Sequence, residues 1–97
     1  MMITRIYRVQ IKPELRAEFE PLFRTVALAS VKNAPGCKDA QLGWPVAASP
    51  DEYAVTSQWD KEESLIAFVG EDWTRPHIPD DMERFVEKCW VHHFSSL

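Results

Sequence analysis

Thr56-Ser57-Gln58-Trp59-Asp60-Lys61-Glu62-Glu63-Ser64-Leu65-Ile66-Ala67-Phe68 reads as the end of a strand that turns into a helix with almost no loop between them. Up to Trp59 the large residues Tyr53, Val55 and Trp59 keep strand spacing. Asp60 is placed to cap the new helix, and Glu63 to reach back to the Asp60 amide as in a capping box. Beyond the cap, Leu65, Phe68 and Val69 recur at helical spacing. The junction fixes one β-then-α unit, and the remaining elements are placed around it.

Upstream, Met2 to Ile11 is a strand. Ile3, Arg5, Tyr7, Val9 and Ile11 point one way, and Thr4, Ile6, Arg8 and Gln10 the other. Neither face is cleanly polar, which suits a central strand. Lys12-Pro13-Glu14 opens a helix whose apolar stripe runs through Leu15, Phe19, Leu22, Phe23 and Val26 to Asn33-Ala34-Pro35-Gly36. Pro21 lies inside it and predicts a kink or a two-piece helix. Cys37 to Val46 and Glu52 to Trp59 are expected to pair as a hairpin, and a second helix runs from Lys61 to about Val69. A proline-rich loop follows, then a short helix from Pro79 carrying Met82, Phe85 and Val86. A last strand covers Trp90 to Ser95. The order is β-α-β-β-α-β, an α+β ferredoxin-like fold with an antiparallel sheet and helices on one face. Strand order 4-1-3-2 puts Cys37 and Cys89 near opposite edges, so they are expected to stay reduced.

Ninety-seven residues form a single domain, 1–97. Hydrophobic residues make up 45%, with four Trp, five Phe and two Tyr, more large apolar surface than a small monomer readily hides. A homodimer packed through the uncovered sheet face is expected, with Trp44 as a contact. A net charge of −4 offers no basic face for nucleic acid, and no apolar run is long enough to span a membrane. The amino terminus has charges among its apolar residues and no cleavage pattern, so a cytoplasmic location is expected. No metal-ligand spacing or phosphate loop is present in the sequence.

Pro35-Gly36-Cys37, Asp51-Glu52-Tyr53 and Ser57-Gln58-Trp59-Asp60 through Phe68 resemble the antibiotic biosynthesis monooxygenase family of the dimeric α/β-barrel superfamily. Gly70-Glu71-Asp72 and His93-Phe94 resemble one subgroup of it. The resemblance implies two sheets paired into a barrel and a cleft for a flat substrate between sheet and helices. Some members oxidise quinols or anthrones with dioxygen and no cofactor; others bind and degrade haem. Aligned on Trp59, the strand asparagine and helix tryptophan of the haem-degrading branch correspond to Tyr7 and Phe68, and His77 falls one place short of its histidine.

The resemblance therefore implies a cofactor-independent monooxygenase acting on a small aromatic quinol or polyketide-like phenol. The alternative is a non-catalytic protein that binds haem or another hydrophobic small molecule. Tyr7 and His77 are the candidate catalytic pair, as hydrogen-bond donor and base. Phe68, Trp73, Trp90 and His92 are candidate substrate contacts. Against these stand plainer roles: Tyr7 as core filler, His77 as a loop histidine, Trp73 and Trp90 as packing. His92 and His93 are adjacent on a strand, so only one of them faces the cleft. Gly70 to Pro79 is expected to act either as a lid hinged at Gly70 or as a rigid connector plugged by Trp73.

Overall fold

In the computed structural model, which describes residues 2–76 and 80–95, strand β1 (Ile3–Ile11) is paired on both sides. It runs antiparallel to β3 (Glu52–Trp59) and to β4 (Val86–Ser95), while β2 (Cys37–Gly43) pairs with the free edge of β3. The sheet order β2-β3-β1-β4 is the one the sequence pattern predicts. Cys37 and Cys89 lie on the two edge strands as free thiols. No helix among the described residues is long and apolar enough to cross a membrane.

The odd residues of β1 turn towards the helices, and Val9 and Ile11 are buried there with Tyr53 and Phe85. The helical layer begins with a 3-10 turn at Pro13–Leu15, where Pro occupies the first turn. It continues as α1 (Arg16–Leu22), a π-helical segment (Phe23–Ala27) and α2 (Leu28–Lys32). Pro21 has no N–H for the carbonyl one turn earlier, so the helix cannot keep an unbroken α ladder. The expected irregularity takes the form of a widened π turn directly after it, with the Thr25 hydroxyl donating to the Pro21 carbonyl. Phe19 and Phe23 from this helix meet Tyr53 edge-on at 4.9 and 5.4 Å between ring centroids. Trp44 closes the same cluster against Phe23 and Tyr53, so its ring packs on the helix side and is 40% exposed.

The junction after β3 is tied to the turn before β2. The Asp60 amide donates to the Gly36 carbonyl at 2.9 Å, and Gly36 has φ +87. Helix α3 (Glu62–Val69) starts differently from the expectation. Its N-cap is the extended Lys61, which makes no side-chain cap bond, and Asp60 stands one residue before that cap. The Ser64 hydroxyl beside Asp60 holds its carboxyl below the usual carboxylate range. Leu65 of α3 packs on Trp59 and Ala34 to form a second core.

Two boundaries also move. Strand β2 stops at Gly43 rather than Val46, because Pro45 has no amide to give a ladder and Val46 makes only a lone bridge to Ser49. Strand β4 starts at Val86, directly after a 3-10 turn at Asp80–Phe85, so Val86 to Cys89 extend the sheet instead of a helix. The Lys12 amide donates to the Phe85 carbonyl and fastens that turn to the end of β1.

Gly36 gives a direct test of the junction. A Cβ there would stand 2.5 Å from the Ser64 side chain and 2.8 Å from Asp60 Oδ1, in addition to the positive φ. Gly70 also has positive φ, at +108, but open space around it. Gly70→Ala is expected to cost about 1–3 kcal/mol of backbone strain, and Gly36→Ala more than that because the clash adds to the strain. Chemical denaturation of the two variants measures this; equal losses would mean that the close packing around Gly36 does not matter.

Candidate functional site

Between the helix-facing side of the sheet and the segment from Phe19 to Val31 lies a cleft of about 460 Å³. Its size falls within the range of small-molecule sites, and its lining is mostly apolar. The widened π turn contributes Phe23, Val26 and Ala27 to one wall, and Phe68 and Val69 of α3 contribute to the other. Leu22, Val26 and Phe68 keep 40–60% of their surface exposed, so much apolar surface on these walls is open to solvent.

The cleft's polar groups come mainly from two neighbouring strands. Alternation on β1 brings Arg5 and Tyr7 to it, and the partner residues of β3 bring Ser57 and Val55. Arg5 is only 7% exposed. One terminal nitrogen, Nη1, donates to the Trp73 carbonyl at 2.7 Å and to His93 Nε2 at 3.0 Å. A guanidinium has no acceptor lone pair, so His93 Nε2 must be the unprotonated nitrogen and its ring the neutral Nδ1–H tautomer. Burial first, then the Arg5 and His92 charges, push the His93 pKa down, in agreement with that tautomer.

Burial raises the Tyr7 phenol to about 12, with a smaller push from Cys89 and an opposing pull from Arg5. At neutral pH Tyr7 is therefore a hydrogen-bond donor and not a base. Its hydroxyl makes no protein hydrogen bond among the described residues. Ser57 Oγ accepts from the Trp59 indole at 2.9 Å, which keeps the hydroxyl's own proton available.

The structure brings together some of the residues singled out in the sequence and separates others. Tyr7 and Phe68 line the cleft, and the Phe68 ring packs at a tilt of 34° against Trp59, 5.3 Å between centroids. Trp73 stands behind Arg5, its carbonyl holding the guanidinium and its ring against His93 at 4.6 Å. That contact anchors the Gly70–Pro76 part of the expected lid at its midpoint. Trp90 and His92 are corrected: they pair with Arg8 and Ile6, whose side chains leave the opposite face of the sheet. Trp90 there carries the Arg8 guanidinium at 4.9 Å, and His92 is exposed; His93 is the histidine on the cleft side. His77 and the end of the lid lie outside the described residues.

Arg5 is the site residue that the sequence reading passed over. The available signal was a lone charge among Ile3, Tyr7, Val9 and Ile11, on the face that alternation sends towards the helices. Haem would need an axial ligand from this chain. His93 commits Nε2 to Arg5 and His92 faces away, so the described residues do not supply a histidine for it.

An antiparallel β2-β3-β1-β4 sheet with helices on one face and an apolar cleft beneath them defines a ferredoxin-like α+β protein. The antibiotic biosynthesis monooxygenase family model matches residues 2–88, and the chain belongs to that family. A Pseudomonas aeruginosa structure superposes with a TM-score of 0.76 at 16% identity, covering 99% of this chain and 94% of its own. A Mycobacterium tuberculosis structure reaches 0.76 at 14% identity, covering 100% and 96%. A haem-degrading protein from the same organism reaches 0.66 at 22% identity, covering 98% and 93%. These likenesses are of fold. A comparison with curated proteins found no significant match.

The half-buried phenol makes a measurable prediction. Phenolate absorption from Tyr7 should appear near pH 12 in the folded protein, and Tyr7→Phe should remove that step. The folded pKa lies above the unfolded value of about 10, so the native state holds a proton that the unfolded chain releases. The stability that this proton contributes is intact below about pH 10 and falls as pH rises through the folded pKa. A Tyr7 titration near 10 in the native protein would contradict the burial argument.

Proposed function

We propose that the protein is a cofactor-independent monooxygenase that oxidises a small aromatic quinol or polyketide-like phenol with dioxygen. The observation that carries this reading is the placement of Arg5 and Tyr7, a buried cation and a phenol donor, on a mostly apolar cleft of small-molecule size. A phenol seated there loses its proton more readily, because Arg5 and the Tyr7 hydroxyl both favour the anion that forms. His77 is the proposed proton acceptor, and its place lies outside the described residues.

The phenolate is electron-rich enough to react with dioxygen directly. In the oxidation of a phenol to a quinone, the ring carbon opposite the hydroxyl loses hydrogen and gains one oxygen atom. The second oxygen atom leaves as water with that hydrogen and the hydroxyl hydrogen, so the substrate supplies all the electrons. Apolar walls serve this chemistry by limiting water around the anion and its oxygenated intermediate.

The protein works as a homodimer in this proposal. The supporting observation is the sheet face bearing Ile6, Trp90 and Phe94, which no helix among the described residues covers. Light scattering is expected to return twice 11.2 kDa. A protein that stays at the monomer mass would remove that part of the proposal.

Non-catalytic binding of a hydrophobic small molecule is the second reading. It is favoured by the absence, among the described cleft residues, of any carboxylate or free imidazole to act as base. Oxygen uptake over a panel of reduced quinones and phenols separates the two. The oxygenase reading expects uptake above the protein-free rate, reduced about a hundredfold to a thousandfold in Tyr7→Phe. Saturable binding with no uptake from any of the compounds would establish the binder instead.

A further inference from the structure

Arg5 differs from the ion-paired arginines of this chain. Arg8 pairs with Glu52, Arg16 with Glu20 and Asp51, and Arg84 with Glu18, all with side chains 39–57% exposed. Arg5 is 7% exposed and has no carboxylate within salt-bridge distance among the side chains that the structure describes, which leave out Asp80 and Asp81. Its contacts are neutral: a backbone carbonyl and an imidazole lone pair, both on Nη1. A largely buried charge without a counter-ion is expensive for a fold to keep, because little water reaches it.

Both hydrogens of Nη1 are spent on Trp73 and His93. The guanidinium's remaining edge, Nε and Nη2, has no protein acceptor among the described residues, and Arg5 lines the cleft. That edge presents two parallel N–H groups at the spacing of the two oxygens of a carboxylate. The anchoring of Nη1 fixes the plane of the fork, so little side-chain entropy is lost when a ligand docks on it.

We propose that Arg5 is a carboxylate-recognition residue and that the cleft takes flat aromatic acids, the acid group bound by the Nε–Nη2 edge of Arg5 and the ring system held between the sheet and Phe23, Val26 and Phe68. The inference rests on the cleft being the ligand site, as in the proposed function, and narrows the substrate class to phenols that also carry an acid. In such a substrate the carboxylate binds Arg5, orients the molecule and neutralises most of the guanidinium charge, so stabilising the phenolate falls mainly to the Tyr7 and Ser57 hydroxyls instead of Arg5. Arg5 is then a specificity-determining residue whose charge need not act on the reacting carbon.

Isothermal titration of the wild-type protein with naphthoate and with the neutral naphthylmethanol tests this without oxygen chemistry. The acid is expected to bind at least roughly tenfold more tightly, with the advantage shrinking as salt is added. Arg5→Gln is expected to abolish the preference, and Arg5→Lys, which keeps the charge but loses the fork, to retain part of it. Circular dichroism reports whether each variant folds, and the wild-type comparison stands if neither does. Equal affinity for the two compounds, no binding of either, or an acid preference that survives in folded Arg5→Gln would each overturn the proposal. Acid preference without oxygen uptake would count against the oxygenase reading alone. Uptake without acid preference would count against the role of Arg5 alone.

Discussion

Strand β1 is hydrogen-bonded along both edges, and its side chains alternate between the two faces of the sheet. Everything in the candidate site follows from that alternation. Arg5, Tyr7 and Val9 reach the cleft under the helices, while Ile6 and Arg8 leave from the other face with His92 and Trp90 of β4. A one-residue slip in register would exchange the two sets and put the buried guanidinium into water. The bond from the Asp60 amide to the Gly36 carbonyl ties the end of β3 and the start of α3 to the turn before β2.

The helical wall shows how a local irregularity can serve a site. A regular helix through Pro21 is unavailable, and the chain widens into a π turn whose Phe23, Val26 and Ala27 line the cleft. Phe23 at the same time stacks on Phe19 and meets Tyr53, so this wall is anchored to the main core. Tyr53 is itself fixed at its hydroxyl, which accepts from Arg16 Nε and donates to Glu20. The cleft is thus bounded by packed elements on the β1, β3 and helical sides, a condition for holding a ligand in one orientation.

Fold was legible in the sequence because it depends on patterns that a single chain displays: period two on β1 and β3, helical spacing after Trp59, and Pro-Gly before β2. The start of β4 was hidden because Val86, Glu87 and Lys88 follow Met82 and Phe85 at spacings that also fit a helix. Only the pairing of Val86 to Cys89 with β1 resolves it. Tyr7 and Phe68 were legible through family resemblance together with strand and helix periodicity. Trp90 and His92 were misplaced because an aromatic residue or histidine on a strand shows its chemistry but not its face. The face depends on which β1 residue lies opposite, and that register is a tertiary property. Arg5 was passed over because arginine usually marks solvent, and its burial depends on Trp73 and His93, 68 and 88 residues away along the chain.

The central claim is that ligands enter on the Arg5–Tyr7 face and not on the open sheet face. Side-chain N–H resonances distinguish these faces within one spectrum. The Trp59 indole sits at the cleft, bonded to Ser57, and the Trp90 indole lies on the other side of the sheet beside Arg8. In a nitrogen-15 titration with a phenolic ligand, the account predicts that the Arg5 Nε–H and Trp59 indole signals shift while that of Trp90 stays in place. A shift of the Trp90 signal with Arg5 and Trp59 unmoved would contradict it.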